Sequence, residues 1–169
     1  MKTKILIALS LFVSSVALVS CKKDHQQSTL MVRMTDAPVA AEEVNVDLKE
    51  VKVNFAHDTA AWITLDTKAG IYNLLGLQNG IDSLIAQGTF DADLVVKEIR
   101  LVLGSDNTIK VAGQTYPLTI PSGSESGLKI KVNKKLQSTI ETTLIDFDAA
   151  LSIQDEVDGY KLRPVVIVK

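Results

Sequence analysis

Alternation of apolar and polar residues is the feature that most constrains this chain, because from Thr29 onward it has the period of two that is typical of half-buried β-strands. In the run 44–55 the phase slips, since apolar residues occupy positions 44, 46 and 48 and then positions 51, 53 and 55. A slip of one residue turns every later side chain to the opposite face of a sheet. We therefore predict a β-bulge near Lys49-Glu50, with both apolar sets buried.

Similar short runs recur along the chain, separated by turn residues such as Gly104-Ser105-Asp106-Asn107 and Asp158-Gly159. Eight or nine short strands with this spacing predict an all-β fold, an antiparallel immunoglobulin-like or prealbumin-like β-sandwich. One helix-like stretch, Ile71–Leu77, is expected to form a short helical turn that caps an open end of the sandwich. The further strand ranges are Leu30–Met34, Trp62–Leu65, Lys97–Leu103, Ile109–Val111, Tyr116–Ile120, Leu128–Val132, Ile140–Phe147 and Leu162–Val168.

The first twenty residues have the form of a secretory signal, in which lysines precede an apolar run that is shorter than the ~20 residues a membrane-spanning helix needs. Leu18-Val19-Ser20-Cys21 resembles a bacterial lipobox, which implies cleavage before Cys21 and acylation at that residue. Several acyl chains hold a protein firmly at a membrane, so Cys21 is the expected lipid attachment site. The expected division is a signal peptide over 1–20, a lipidated cysteine and flexible tether over 21–28, and a β-sandwich domain over 29–169.

The segment Lys22–Ser28 contains no apolar residue, so it is predicted to be a flexible tether. Lys22 directly after the cysteine resembles lipoproteins that are passed to the outer membrane. Lys23-Asp24 weakly resembles the charged tag of lipoproteins exported to the cell surface. The expected location is the cell envelope, lipid-anchored in the outer membrane, with surface exposure left open.

Composition excludes several classes of protein. The chain has one cysteine among its 169 residues, so neither an intrachain disulfide nor a cluster of thiolate metal ligands can form. Its formal net charge is −2, whereas a nucleic-acid-binding domain presents a basic face. We therefore expect no nucleic-acid partner, no cofactor and no metal site, and a domain stabilised by its apolar core.

Several motifs occur in the order seen in one family of bacterial and archaeal envelope proteins. They are Thr35-Asp36-Ala37-Pro38, Trp62-Ile63-Thr64-Leu65, 73–80, 99–104 with Asn107, Tyr116-Pro117-Leu118, 121–129 and 144–149. Together they resemble domain-of-unknown-function family 4382 over about residues 29–168, essentially the whole mature domain. The resemblance implies a secreted or lipid-anchored β-sandwich, and it supplies no catalytic residue.

Two strings resemble signatures of penicillin-recognising enzymes: Ser126-Gly127-Leu128-Lys129 is an S-x-x-K string and Ser105-Asp106-Asn107 is an S-D-N string. Ser126 and Lys129 enter a predicted strand, where residues three apart point to opposite faces. The two strings also stand in reverse order, and a K-T-G string is missing. These differences argue against that chemistry.

Other nucleophile arrangements are equally incomplete. The segment 123–127 has the glycines of a G-x-S-x-G elbow, but Glu125 stands where the nucleophile should be. His57, beside Asp58, is the only histidine outside the tether, and we interpret it as a solvated turn residue. Acyl transfer needs a nucleophile, a base and a group that orients the base. We therefore expect that the protein is not an enzyme.

Asp146 and Asp148 flank Phe147 on a predicted strand, which places both carboxylates on one face roughly 6–7 Å apart. That separation is near the one found in inverting glycosidases, but those enzymes hold their carboxylates on opposite sides of a sugar. We interpret the pair as an exposed polar face or as ion-pair partners of Lys129 or Arg100, and leave a calcium site open.

Three further features have simple structural interpretations. The acidic segment 155–158 before Gly159 is a hairpin tip without the alternating spacing of a calcium loop. Asp36, before Ala37-Pro38, is expected to accept amide hydrogen bonds in an Asx-type turn. Trp62 lies in a predicted strand and is expected to fill the core of the sandwich.

The loop 121–127 is rich in glycine and serine and leads to a lysine, so its amides could form an anion-binding nest. A mobile connection with positive φ angles explains the same residues. The weak candidates for a binding site are Ser122, Gly123, Ser124, Ser126 and Lys129.

These observations favour a lipid-anchored, non-enzymatic interaction or adhesion module of the cell envelope. Its expected partners are the membrane, through Cys21, and an envelope protein or glycan. A glycan- or calcium-binding accessory domain is the alternative, and a hydrolase is a distant one. Sandwich edges permit strand addition, whereas a carbohydrate module would need an exposed aromatic pair. The burial of Trp62, Tyr72, Tyr116 and Tyr160 bears on this choice.

Overall fold

The computed structural model describes residues 26–37, 39–55, 61–121, 127–137 and 139–169. Cys21, His57-Asp58 and 122–126 lie outside the described residues. The strands are β1 (Gln27–Asp36), β2 (Glu43–Asn54), β3 (Ile63–Thr64), β4 (Asp66–Thr67), β5 (Gly70–Asn73), β6 (Ser83–Asp91), β7 (Val95–Leu103), β8 (Thr108–Val111), β9 (Gln114–Pro117), β10 (Leu128–Lys135), β11 (Ile140–Asp148), β12 (Ile153–Glu156), β13 (Gly159–Leu162) and β14 (Val165–Val168). A 3₁₀ turn (Leu74–Leu77) and a one-turn helix, α1 (Ala149–Ser152), complete these elements.

Five strands form one sheet of the sandwich, in the order β14-β11-β1-β6-β4. At its centre β1 is antiparallel to β6 but parallel to β11, with Thr35 opposite Asp146 and Asp36 opposite Phe147. The predicted all-β sandwich is confirmed, and its strand pairs are antiparallel except for β1 with β11, which is parallel. Parallel strands need a crossover connection, and most of the described chain lies between these two strands.

The second sheet has seven strands and is built around β2. Asn45 pairs with β8 and with β5 at once, and Leu48 pairs with β7 and with β5. Because a residue has only two strand neighbours, β7 and β8 must follow one another along one edge of β2, opposite β5. β10 extends the sheet beyond β7, and β9 extends it beyond β8. The hairpin of β12 and β13 forms a separate two-stranded ribbon.

The register between β2 and β7 shifts between Leu48 and Glu50, which confirms the predicted bulge. Phe55 is half-buried, and its ring packs edge-on against Phe90 with 4.8 Å between the centroids. The other apolar residues on either side of the bulge are at most 1% exposed: Val44, Val46, Leu48, Val51 and Val53. Both halves of β2 therefore contribute to one core.

Between β7 and β8, the segment Gly104–Asn107 does not continue the strand along β2. The side chain of Asn107 makes hydrogen bonds there in place of the backbone bonds of a paired strand. Asp47 N donates to Asn107 Oδ1 at 2.9 Å, and Asn107 Nδ2 donates to Gly104 O at 2.7 Å. A Cβ on Gly104 would lie 2.0 Å from Asp47 Oδ2, so this approach requires glycine. The S-D-N string thus has a structural role, since its buried asparagine bonds to the backbone.

The segment 61–73 joins the two sheets along one side of the sandwich. β3 pairs with β2, β4 pairs with β6 of the other sheet, and β5 returns to β2. At the bulge, Val51 N donates to Thr67 Oγ1 at 2.9 Å and Leu65 N donates to Val51 O at 2.8 Å. On the opposite side of the sandwich, β10 and β14 contact each other.

The first strand starts earlier than expected. β1 begins at Gln27, Ser28 is fully buried, and Gln26 O accepts a hydrogen bond from Ala92 N at 2.7 Å. The end of the segment that was expected to be a tether is therefore part of the sheet. Within the described ranges, no helix is both long enough and apolar enough to cross a membrane.

The helical turn is shorter than predicted, because 70–73 forms β5 and the 3₁₀ turn covers Leu74–Leu77 alone. Leu74 and Leu77 are buried, as the capping role requires. Asn79 and Gly80 adopt positive φ angles of 59° and 83°, and these residues form the turn that follows.

Candidate functional site

Lys129 is the predicted binding residue that lies in the described part of the chain; Ser122, Gly123, Ser124 and Ser126 lie outside it. Lys129 is exposed on β10, between Leu128 and the buried Ile130. Gly127, just before the strand, has a φ of +82°, and a Cβ there would lie 2.9 Å from Arg100 Cγ. Glycine therefore allows the end of the loop to approach the stem of Arg100 on the neighbouring strand.

Three cationic side chains stand side by side on the outer face of the seven-stranded sheet. Arg100 on β7 is directly opposite Lys52 on β2 and directly opposite Lys129 on β10. Arg100 and Lys52 each lie between fully buried neighbours in their strands, so their own side chains point away from the core. We call Lys52, Arg100 and Lys129 the cation strip.

Like charges directly opposite one another destabilise a sheet, so the cation strip has a cost for folding. Lys52 Nζ is 2.8 Å from Glu50 Oε2, and this ion pair offsets part of the repulsion between the cations. Among the described residues, no carboxylate lies within 4 Å of the charged nitrogens of Arg100 or Lys129. Positive charge is thus concentrated at the middle and at one end of the strip.

Trp62 packs against Arg100 of the strip instead of filling the core, so the prediction of a core tryptophan is wrong. It is half-buried, it stands outside the main apolar cluster, and Arg100 Cζ lies 4.1 Å from its ring centroid. Trp62 is two residues before Thr64, which pairs with Lys52, and alternation puts all of these side chains on the outer face. The contact is a cation–π interaction.

Two hydrogen-bond donors at this contact have no acceptor among the described residues. Arg100 Nε and Trp62 Nε1 are both buried from solvent, and neither has a hydrogen-bond partner in that part of the chain. Buried donors in folded proteins are nearly always paired, and an unmade bond costs about 1–3 kcal/mol. Both groups are donors only, so the site lacks an acceptor that a ligand could supply.

The next row of the same face is balanced in charge. There Lys131 on β10 is opposite Glu98 on β7, and Glu98 is opposite the uncharged Asn54 on β2. Positive charge therefore does not accumulate in this row as it does in the cation strip. Lys131 provides a matched control, since it lies on the same strand and the same face as Lys129.

The family model described as "Domain of unknown function (DUF4382)" matches residues 27–164. The chain belongs to this family. No curated protein matches the chain, and no solved structure matches it. The Asp36 turn and the strand that ends at Asp148, two of the motifs that carried the resemblance, can now be placed in the DUF4382 fold.

In this DUF4382 domain, the Asp36 side chain accepts hydrogen bonds from two segments far away in sequence, so its role extends beyond the expected Asx-type turn. Its Oδ1 accepts a hydrogen bond from Ala149 N at 2.9 Å, and its Oδ2 accepts one from Gln78 Nε2 at 3.1 Å. The preceding Thr35 donates through its hydroxyl to Leu77 O or Ile81 O, each 2.8 Å away. This motif therefore ties β1 to α1 and to the turn after Leu77.

Asp146 and Asp148 have separate partners, and neither pairs with Lys129 or Arg100 as had been predicted. Asp146 is 4% exposed, so it is not on an exposed face, and its Oδ2 is 2.8 Å from Lys169 Nζ. Asp148 Oδ1 accepts from Leu151 N at 2.9 Å and caps α1. Within the described ranges, no group of three or more His, Cys, Asp or Glu is arranged to hold a metal ion.

A depression of about 400 Å³ lies at this end of β1, next to Lys169 and the turn at Asn79-Gly80. Its ionisable side chains bond within the protein: Asp82 bonds to Arg33, Lys169 bonds to Asp146, and Asp36 accepts hydrogen bonds from Ala149 N and Gln78 Nε2. The arrangement serves the fold, because each of these contacts joins different elements. We therefore place the candidate site at the cation strip.

Burial raises the pKa of the Asp36 carboxyl above its ordinary value of 3.8, and the nearby Asp146 carboxylate adds to this, while the bonds from Ala149 and Gln78 oppose it. A raised pKa in the folded state means that Asp36 contributes stability at pH values below 3.8 that is lost as pH rises through the raised pKa. We expect Asp36→Asn to gain stability relative to wild type as pH rises through that window, in urea unfolding from pH 3.5 to 7.

Asp158 supplies the opposite control for that experiment, because its hydrogen bond with Lys161 lowers its pKa. The contribution of Asp158 to folding stability is therefore present above its unfolded pKa and is lost as pH falls. The Asp158→Asn variant lacks this contribution, so it should become less stable relative to wild type as pH rises. A stability difference between Asp36→Asn and wild type that does not vary with pH would contradict the assignment.

The aromatic residues do not form an open platform. Trp62, Tyr72, Tyr116 and Tyr160 are all half-buried. Tyr116 and Tyr160 contact each other with 5.3 Å between ring centroids, and both pack against the core.

The acidic hairpin tip was predicted correctly, with Asp158 paired to Lys161 and Glu156 to Arg163.

Arg100 and Lys52 were not identified as site residues from the sequence. Each occupies an ordinary outward position in an alternating strand, and nothing along one strand shows which residue will stand beside it on the next. The sequence signal was Lys129 after a loop rich in glycine and serine, and Lys129 lies at one end of the cation strip.

Proposed function

We propose that this protein is a lipid-anchored, non-enzymatic binding module of the cell envelope, with the cation strip and Trp62 as its binding surface. The observation that carries the proposal is the pair of buried, unpartnered donors, Trp62 Nε1 and Arg100 Nε, inside a row of adjacent cations. Such a site has a folding cost that binding of an acceptor would relieve. Binding of a complementary charged group would also lower the repulsion within the row.

The lipobox-like tetrad that ends at Cys21 supports a lipid anchor, and Lys22 directly after it supports placement in the outer membrane. β1 begins at Gln27, so the span after Cys21 is short. Five residues, 22–26, reach at most ~18 Å when extended. The sandwich would therefore remain close to its membrane and bind material of the envelope.

The positions of the candidate catalytic groups support a non-enzymatic function. Asn107 of the S-D-N string is used by the backbone, and the carboxylates of Asp146 and Asp148 are held by Lys169 and by α1. Lys129 lies on the outer face of a sheet beside two other cations, where the described residues supply no general base within ion-pair distance.

Retention of envelope material tests this function. We would immobilise the full chain, expressed with its own leader and purified in mild detergent, and incubate it with a detergent-solubilised envelope extract. Replacing both Arg100 and Lys129 with alanine should reduce the retained material by at least about fivefold, because charge-assisted hydrogen bonds are lost. Total retained polysaccharide and protein would be measured separately.

The control replaces Lys131 and Lys135 with alanine and removes the same net charge, from the strand that also carries Lys129. Lys131 faces Glu98, and Lys135 pairs with Asp93 at 2.7 Å. Retention by this control should stay near that of wild type. Equal losses in both double variants, or no loss in either, would refute the cation strip as the binding surface.

A further inference from the structure

We propose that the cation strip binds an acidic polysaccharide, with one oxyanion of the polymer bound beside the contact between Arg100 and Trp62. The inference rests on the proposed function, since it names the ligand class for the same surface. Arg100 Cζ lies 4.1 Å from the Trp62 ring centroid, so the two unpartnered donors belong to one local site. The ligand group at this position must accept hydrogen bonds and should carry negative charge.

An oxyanion, either a carboxylate or a phosphate, meets both requirements. It could accept from Arg100 Nε and from Trp62 Nε1, and its charge would balance the guanidinium. A neutral hydroxyl would satisfy the donors but would leave the like charges of the row uncompensated. The geometry therefore selects an anion over a neutral sugar as the central group.

The extent of the strip points to a polymer. Lys52 and Lys129 stand one strand to either side of Arg100. Strands lie ~4.8 Å apart, so the row spans roughly 10 Å across the sheet. One oxyanion cannot reach both lysines, whereas a chain with repeated anions that crosses the strands can place one near each cation.

The surroundings of the strip favour a single polymer chain over a membrane surface. Glu50 is beside Lys52, and Glu98 is on the same face of β7, two residues from Arg100. A densely anionic membrane would meet these carboxylates across the whole face. A flexible polysaccharide can follow the row of cations and avoid them.

Trp62 allows a direct measurement, because it is the only tryptophan of the chain. The full-length protein in detergent would be titrated at low ionic strength with polygalacturonate, with a phosphate-bearing polysaccharide, with neutral dextran and with inorganic phosphate. We expect a saturable change in tryptophan emission with at least one acidic polymer and none with dextran. The affinity should fall as salt is added.

Three variants locate the binding. Arg100→Lys keeps the charge but removes the Nε donor and the fork geometry, and it should weaken binding at least about tenfold. Lys129→Ala should weaken it about threefold or more, and Lys131→Ala by less than about twofold. Far-UV circular dichroism and the urea midpoint would establish that Arg100→Lys is folded; if it is not, Lys129→Ala against Lys131→Ala decides.

Several outcomes would overturn this inference. They are the absence of a saturable response to either acidic polymer, equal losses in Lys129→Ala and Lys131→Ala, inorganic phosphate binding as tightly as the polymers, and Arg100-dependent binding to phosphatidylglycerol vesicles. If envelope retention stays dependent on Arg100 while both polymers fail, the ligand class is wrong and the proposed function stands. If retention is also independent of Arg100, both are wrong.

Discussion

Cys21→Ala should abolish incorporation of a labelled fatty-acid precursor into the protein and leave it with an uncleaved leader. Cys21 is the only thiol of the chain, and the tetrad that ends there resembles the site at which bacterial lipoproteins are modified and cut. Without the thiol there is no acceptor for the diacylglycerol, and cleavage depends on that modification. The measurement is metabolic labelling in cells, followed by intact-mass analysis.

Ser15→Ala is the control, because it lies in the same leader but outside the tetrad, and its labelling should equal that of wild type. Membrane fractionation provides a second readout, since the wild-type protein should require detergent for extraction. Labelling that persists in Cys21→Ala, or a wild-type protein that keeps residues 1–20, would remove the anchoring part of the proposed function.

Val53→Asp should lower the free energy of unfolding by about 4 kcal/mol, a large fraction of the ~5–15 kcal/mol that holds an ordinary domain together. Val53 is fully buried on β2, opposite Ile99 of β7 and Ile63 of β3. A carboxylate there would enter the apolar core without a cation or donor to pair with it. Urea unfolding followed by circular dichroism measures the loss.

Thr115→Asp introduces the same charge at an exposed strand position and should change stability by less than about 0.5 kcal/mol. Thr115 is on β9 and faces Lys110 across the hairpin. A loss below about 1 kcal/mol for Val53→Asp would mean that this half of β2 does not face the core, and that the bulge has been placed wrongly.

The fold was predicted well where local pattern determines it. The slip of phase in β2 identified the bulge, because burial on one side forces a register that the alternation records. β6 was missed, since Leu84, Ile85 and Ala86 follow one another without alternation. Its position between β1 and β4 cannot be read from such a run, and the parallel pairing of β1 with β11 depends on contacts far apart in sequence.

The candidate site was predicted only in part, for the same physical reason. Lys129 was identified through the loop that precedes it, but the other two residues of the cation strip, Arg100 and Lys52, lie on β7 and β2. Their arrangement depends on cross-strand register, which single-strand patterns do not contain. Trp62 was assigned to the core because a tryptophan in a strand is usually buried; here it packs beneath a guanidinium on the opposite face.

The central position of β1 has a mechanical consequence for an anchored protein. β1 is the first strand after the tether, and it is bonded to β6 on one side and to β11 on the other along nearly its whole length. Tension applied at Cys21 would therefore pull along the axis of β1. The hydrogen bonds to β6 and to β11 would then be loaded together in shear, instead of breaking one after another from the end of the strand. The cation strip lies on the other sheet, so a pull on bound polymer would reach the membrane through the core and through the β4 crossing. Under the proposed function, this arrangement would let the domain carry load between the membrane anchor and a bound polymer.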